Sequence, residues 1–101
     1  MSAGLKTLTS RLGYQQITSL SSATSLTVPS VDKQGLACKP AIAVIIAETA
    51  GVRWIDDDST LSSTRGMPLA VGVTFIYDGD LTKIQFIQQS AGAILNVSYY
   101  A

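Results

Sequence analysis

The sequence predicts an all-β protein: a small antiparallel β-sandwich or barrel, jelly-roll-like, with an N-terminal arm. Three observations support this prediction. Short segments of alternating apolar and polar residues recur along the chain, turn-forming residues separate them, and no convincing long helical pattern is present. With 101 residues the chain is long enough for one domain and too short for two. We therefore divide it into the arm, residues 1–22, and a β domain, residues 23–101.

The arm is dominated by Ser, Thr and Gln, interrupted by single apolar residues. Leu5, Leu8 and Leu12 fall at helical spacing, whereas from Tyr14 onward the pattern is closer to an extended chain. Such a segment either adds a strand to its own domain or reaches onto a neighbouring subunit. A frayed terminus is the third alternative. Our first candidates for a subunit interface are Leu5, Leu8, Leu12 and Tyr14.

The first half of the β domain contains three predicted strands. Residues 24–28 alternate until Pro29 ends the pattern. Residues 41–48 form a continuous apolar run rich in Val and Ile, which favours a strand buried on both faces. Gly51 then turns the chain into residues 52–55, and we expect these two strands to form a hairpin.

The second half begins with a long polar loop, residues 56–66, and a short apolar anchor after it. Residues 71–77 alternate again, and the sequence Asp-Gly-Asp at 78–80 is the clearest hairpin signal of the chain. Strands are predicted at 81–88 and 93–100. We expect the last three strands to form a meander with short turns.

Charge is scarce in this sequence. Charged residues make up 14% of the chain, against a usual value of about 25%, and seven basic residues balance seven acidic ones. The basic residues are scattered singly, so we expect neither nucleic acid nor a membrane surface as a partner. The longest apolar run, 41–47, is far below the roughly 20 residues that span a bilayer. A charge-poor surface favours coverage by another protein and a homo-oligomer, although Ser and Thr are also common on ordinary strands.

The sequence offers no recognisable catalytic apparatus. It contains no histidine, which removes the commonest general base and most zinc sites. Cys38 is the single cysteine and lies beside Lys39; a packing role is favoured over a reactive thiol. Asp56, Asp57 and Asp58 could contribute calcium ligands, but no further carboxylate follows nearby, which favours a solvated turn. We expect no enzyme activity and no cofactor.

Aromatic residues supply the remaining interface candidates. Trp54, the only tryptophan, is flanked by Arg53, and these two residue types are the most enriched at binding hot spots. Strand alternation places their side chains on opposite faces, and Trp54 could pack in the core, contact a subunit or stack on a sugar. Tyr99 and Tyr100 near the C-terminus indicate a terminus held in a sheet or against a partner.

Five stretches, taken in order, resemble a family of small proteins encoded in the structural gene clusters of tailed bacteriophages and prophages. They are ATSLTVP (23–29), VRWIDDD (52–58), GMPLAVG (66–72), YDGDLTKIQFI (77–87) and SAGAILNVSYY (90–100). The resemblance implies a virion-associated β-sandwich or barrel module. The chain departs from the family pattern in a longer segment at 33–40 and in Ile55, where a basic residue is common; residues 1–22 lie outside the resemblance.

These observations lead to an expected function in a phage particle, located in the virion and assembled in the bacterial host cytoplasm. The first hypothesis is a capsid decoration or cement protein that binds the major capsid protein, or another virion protein, and stabilises the head. The alternative is a collar, head-spike or tail-fibre-base component that contacts a host surface glycan. An enzyme and a cytoplasmic regulator of the host are the remaining alternatives.

Overall fold

The computed structural model describes residues 11–31 and 35–100, and within these residues the chain forms eight β-strands and no helix. The strands follow the turn signals of the sequence, with two additions: one in the arm and one at the short apolar anchor after the long loop. They are β1 (Arg11–Ile17), β2 (Thr24–Ser25), β3 (Ile42–Glu48), β4 (Val52–Ile55), β5 (Met67–Leu69), β6 (Thr74–Tyr77), β7 (Gln85–Gln88) and β8 (Ile94–Tyr100).

The strands form two four-stranded antiparallel sheets. Sheet A has the order β1-β8-β3-β6, and sheet B has the order β2-β7-β4-β5. The first strand therefore pairs with the eighth, the second with the seventh, the third with the sixth and the fourth with the fifth. This is the strand order of an eight-stranded jelly roll, a long antiparallel ribbon folded into two facing sheets. The predicted all-β antiparallel fold is confirmed, and of its two alternatives, sandwich and barrel, the chain forms the sandwich.

Strict alternation along the longest strands builds the core between the sheets. On β8, Leu95, Val97 and Tyr99 point inward, while the residues between them are only half-buried. Apolar side chains from both sheets interdigitate with these three. The largest fully buried side chains are Tyr99, Phe86, Leu20, Ile45, Ile84, Leu95, Val52 and Val97. The two sheets thus share one core.

The sandwich has two different ends, because successive strands run in opposite directions. The short-loop end consists of the connections 18–23, 49–51, 70–73 and 89–93. The long-loop end consists of the connections 26–41, 56–66 and 78–84, of which residues 32–34 are not described.

Two of the predicted strand pairings are wrong. β3 and β4 lie in different sheets, so residues 49–51 cross the sandwich instead of closing a hairpin. The last three strands do not form a meander, because β6 and β8 belong to sheet A and β7 to sheet B. The turn at Asp78, Gly79 and Asp80 likewise connects two sheets. Turn residues reverse the chain in both cases, but they do not determine which sheet receives the next strand.

The prediction for residues 41–48 is also wrong in one respect. Ala43, Ile45 and Ala47 on β3 are buried in the core, but the outward side chains Val44 and Ile46 are only half-buried. Nothing in the described chain packs as a further layer over the outer face of sheet A. The apolar run reflects a strand with one buried face and one partly open apolar face.

The described part of the arm, residues 11–22, joins the sandwich. β1 pairs with β8 along its length, and Ile17 and Leu20 belong to the same core as the strands of 23–101. Of the alternatives for this segment, these residues add a strand to their own domain. We therefore treat residues 11–100 as one folded unit.

Candidate functional site

The four interface candidates of the arm lie in different environments. Leu5 and Leu8 fall outside the described residues. Leu12 is half-buried and packs against the core. Tyr14 is exposed on the outer face of sheet A, where its hydroxyl donates a hydrogen bond to Oδ1 of Asn96 on β8. Tyr14 therefore stays an interface candidate on an exposed face.

The C-terminal tyrosines are held within sheet A, since β8 lies between β1 and β3. Tyr99 is 1% exposed, and its hydroxyl donates a hydrogen bond to Gln15 Oε1 at 2.7 Å. Burial raises the pKa of Tyr99 to about 12. Tyr99 is therefore a core residue and offers no contact surface. Tyr100 points to the outer face, opposite Ile42 of β3, and is half-buried.

Arg53 fastens the long loop 56–66 to sheet B. Its Nε donates to the carbonyl of Ser63 at 3.0 Å, and its Nη1 donates to the carbonyl of Gly66 at 2.9 Å. Gly66 has a φ of 141°, and a Cβ atom there would lie 2.5 Å from Cδ1 of Leu61. Leu61 of this loop and Ile87 of β7 are both buried. Two of the Arg53 donors are thus used within the chain.

Trp54 links the two sheets at the open side between β5 and β6. Its ring stacks on that of Phe75 from β6, with centroids 4.9 Å apart and an interplanar angle of 24°. The ring of Tyr77 lies 6.1 Å from Trp54. Because aromatic pairs contribute about 1 kcal/mol beyond their buried area, this cluster holds β4 against β6. Trp54 is half-buried, so part of the ring remains accessible.

Tyr77 connects this aromatic cluster to the long-loop end. Its hydroxyl donates a hydrogen bond to Asp56 Oδ2 at 2.8 Å. Burial, and after it the hydrogen bond to Asp56, raise the pKa of Tyr77 to about 12. Tyr77 and Asp56 therefore tie the β6–β7 connection to the β4–β5 loop.

The three consecutive aspartates have three different partners. Asp56 accepts the hydrogen bond from Tyr77, Asp57 Oδ1 accepts one from the Ser59 amide, and Asp58 lies 3.5 Å from Lys83 Nζ. The hydrogen bonds from Ser59 lower the pKa of Asp57. Among the described residues no group of three His, Cys, Asp or Glu side chains could hold a metal ion. The geometry is that of a solvated turn.

Two open depressions lie at the long-loop end. The larger is partly lined by Cys38, which is half-buried and whose Sγ lies 3.8 Å from the carbonyl oxygen of Pro29. The other combines the accessible part of Trp54 with carboxylates. It is lined by Trp54, Ile55, Asp56, Asp57, Gly66 and Met67.

The short-loop end carries no charged residue in any of its four connections. Val71 and Val73 are each 50% exposed there, among small residues such as Ala70 and Gly72. The long-loop end, in contrast, contains five of the seven acidic residues. These five, which are those of its described residues, are Asp56, Asp57, Asp58, Asp78 and Asp80; a sixth, Asp32, lies in the undescribed part of connection 26–41. The sequence alone did not identify the short-loop end as one surface. The absence of charge from each of its four connections is nevertheless visible in the sequence.

Comparison with known proteins assigns no family to the chain: no family model, no curated protein and no solved structure matches it. No helix in residues 11–31 and 35–100 is long and apolar enough to cross a membrane.

Proposed function

We propose that this chain is a structural protein of a tailed-phage particle that decorates the head by binding the major capsid protein. The observation that carries this proposal is the short-loop end, which is uncharged and presents Val71 and Val73. The cores of protein interfaces are depleted in charged residues, because burying an unpaired charge is costly. An end without charges fits a binding face directed towards a protein shell.

The fold and the sequence resemblance support the same assignment. Jelly rolls recur in viral capsid proteins and also in lectins, so the fold by itself supports the assignment only by analogy. The stretches that resemble phage structural proteins include residues 66–72, which lead into the short-loop end. In this proposal the protein acts by binding and is not an enzyme.

The charged side chains at the long-loop end form contacts within the chain. These contacts agree with a protein that acts by binding. Asp56, Asp57 and Asp58 each contact a different group, and Arg53 holds the loop 56–66. These contacts order the loops that face away from the proposed binding end. We infer that the long-loop end points outward from the particle surface.

The test is binding of the purified chain to phage heads that lack it, measured by co-sedimentation. Val71→Lys places a charge on the short-loop end, and we expect it to weaken binding at least about tenfold, because the lysine must be desolvated. Thr60→Lys is the matched control: it adds the same charge at an exposed position of the long-loop end. Equal binding by both variants would overturn the proposed binding face, and no binding by the unmodified chain would overturn the decoration role.

A second candidate function is a collar, head-spike or fibre-base component that binds a host surface glycan. The depression beside Trp54 favours it, since an accessible aromatic ring and the carboxylates of Asp56 and Asp57 are groups that bind sugars. Asp57→Ala leaves the aromatic cluster intact and is expected to reduce binding to host polysaccharide in this case. Without such binding by the unmodified chain, the decoration role stands ahead.

A further inference from the structure

The four edge strands of the sandwich differ in how they are protected against pairing with another strand. Natural sheets protect their edges with bulges, prolines, charges or very short strands. In sheet B, β2 has only two residues and β5 contains Pro68. In sheet A, β1 has a register irregularity between Arg11 and Gly13. Three of the four edges therefore carry a recognised protection.

The fourth edge strand, β6, carries none of these devices. Residues 70–77, with the sequence AVGVTFIY, include no charge and no proline. The register of β6 with β3 runs without irregularity from Thr74 to Tyr77. Ile76 is 56% exposed on the outer face of sheet A, and Phe75 is half-buried on the inner face. This edge is extended, regular and apolar.

The backbone of β6 has hydrogen-bonding capacity on its open side. In an antiparallel strand alternate residues direct their N–H and C=O groups away from the neighbouring strand. β3 is the only strand beside β6 among the described residues, so its open side has the groups needed to pair with another strand. We propose that β6 pairs with β6 of a second copy of this chain, which joins two A sheets into one continuous sheet across a two-fold axis.

A second copy fits this edge because the strand is complementary to itself. A two-fold axis perpendicular to the sheet keeps the cores of both copies on the same side, so outward residues pair with outward ones. Thr74 and Ile76 of the two copies then share the outer face, and Phe75 and Tyr77 share the inner one. No like-charged pair arises, and the chain as a whole has no net charge to oppose association.

The size of the contact determines the strength of the assembly, and the number of unprotected edges determines whether the assembly closes. A four-residue strand is about 13 Å long, so the contact is small beside the roughly 800 Å² per partner of a standard interface. We therefore expect a dissociation constant on the order of 10 µM. Pairing uses up the one unprotected edge of each copy, so the assembly closes as a dimer and does not grow into a fibre. This inference does not rest on the proposed role in a virion; in such a dimer the short-loop ends of the two copies point in opposite directions, so only one of them can face a shell.

The test is the solution mass of the full chain, measured by sedimentation across the micromolar range. We expect a monomer–dimer equilibrium for the unmodified chain. Ile76→Lys adds an edge-protecting charge at an exposed position and should give a monomer at every concentration. Gln16→Lys is the matched control, because it adds the same charge on the outer face of sheet A at the β1 edge, where Gln16 is exposed. It should dimerise like the unmodified chain.

The proposal stands only with this combination of three results. A monomeric unmodified chain, a dimer that survives Ile76→Lys, a dimer lost equally in Gln16→Lys, or an assembly larger than a dimer each overturns it. Hydrogen exchange provides a measurement without variants. The amides of β6 that face the open edge should exchange at least about tenfold more slowly at high than at low protein concentration. Concentration-independent exchange of these amides contradicts the dimer.

Discussion

The two ends of the sandwich are built by different means. At the short-loop end the connections are brief and uncharged, and they are fixed by backbone contacts and buried side chains. Leu20 is 1% exposed, and its carbonyl accepts a hydrogen bond from the Gln88 amide at 2.9 Å. At the long-loop end the loops are held by polar side chains, including Arg53, Asp56 and Tyr77.

This difference distinguishes the short-loop end, whose surface can bind a partner, from the long-loop end, whose side chains hold its own loops. Side chains at the long-loop end already form hydrogen bonds with backbone and side-chain groups of the chain, so a partner would have to compete with these contacts. The short-loop end needs no charged group for its own structure, which leaves Val71 and Val73 available. The predictions below test whether the stability of each end comes from the source described here.

The largest effect is expected from removing the buried anchor of the short-loop end. Leu20→Ala should lower the free energy of unfolding by about 3 kcal/mol, because it removes a fully buried side chain and leaves a cavity. Chemical denaturation measures this change. Leu36→Ala is the matched control at the long-loop end, where Leu36 is 65% exposed, and it should change stability by less than about 0.5 kcal/mol. Similar losses in both variants would contradict the contrast between the ends.

The next largest effect is a loss of folding stability at alkaline pH, and it originates at the long-loop end. Tyr77 and Tyr99 lie towards this end of β6 and β8, and the pKa of each is raised to about 12. In the unfolded chain a tyrosine has a pKa of about 10. The folded state therefore keeps these protons where the unfolded state loses them. Stability is complete below about pH 10 and falls as the pH rises towards 12.

Thermal unfolding between neutral pH and pH 12 measures this loss. Tyr99→Phe removes one of the two ionising groups, so its stability should fall less steeply in the alkaline range than that of the unmodified chain. At neutral pH this variant should be less stable by about 1 kcal/mol, because the hydrogen bond to Gln15 is lost. An identical alkaline slope in both proteins would show that Tyr99 does not contribute to the effect.

The fold class was accessible from the sequence because alternation alone identifies inward-facing residues. In the strand predicted at 93–100, alternation puts Leu95, Val97 and Tyr99 on one face, and all three are buried. The assignment of strands to sheets could not be predicted from the sequence. The Asp-Gly-Asp turn at 78–80 reverses the chain equally well within one sheet or between two, and the choice depends on contacts distant in sequence. In this chain β8, which begins at Ile94, pairs with β1, which begins at Arg11.

Only part of the candidate site could be predicted from the sequence. Alternation correctly placed Arg53 and Trp54 on opposite faces, but the contacts of Arg53 with Ser63 and Gly66 depend on how the loop 56–66 folds back. The uncharged connections are visible one by one in the sequence. Their position at one end follows from the strand order, which the sequence pattern does not contain.

The smallest effect concerns backbone strain in one turn at each end. Thr49, in the connection 49–51, has a φ of 75°, which is unfavourable for a β-branched residue by about 1 kcal/mol. Thr49→Asn should raise the free energy of unfolding by up to about 1 kcal/mol, because Asn tolerates the left-handed region. Asp58, with a φ of 66°, already belongs to a tolerant residue type. Asp58→Asn should therefore change stability by less than about 0.5 kcal/mol, even though it weakens the exposed pair with Lys83. Urea midpoints measured side by side test the pair, and no gain from Thr49→Asn would mean that the short-loop end holds Thr49 without strain.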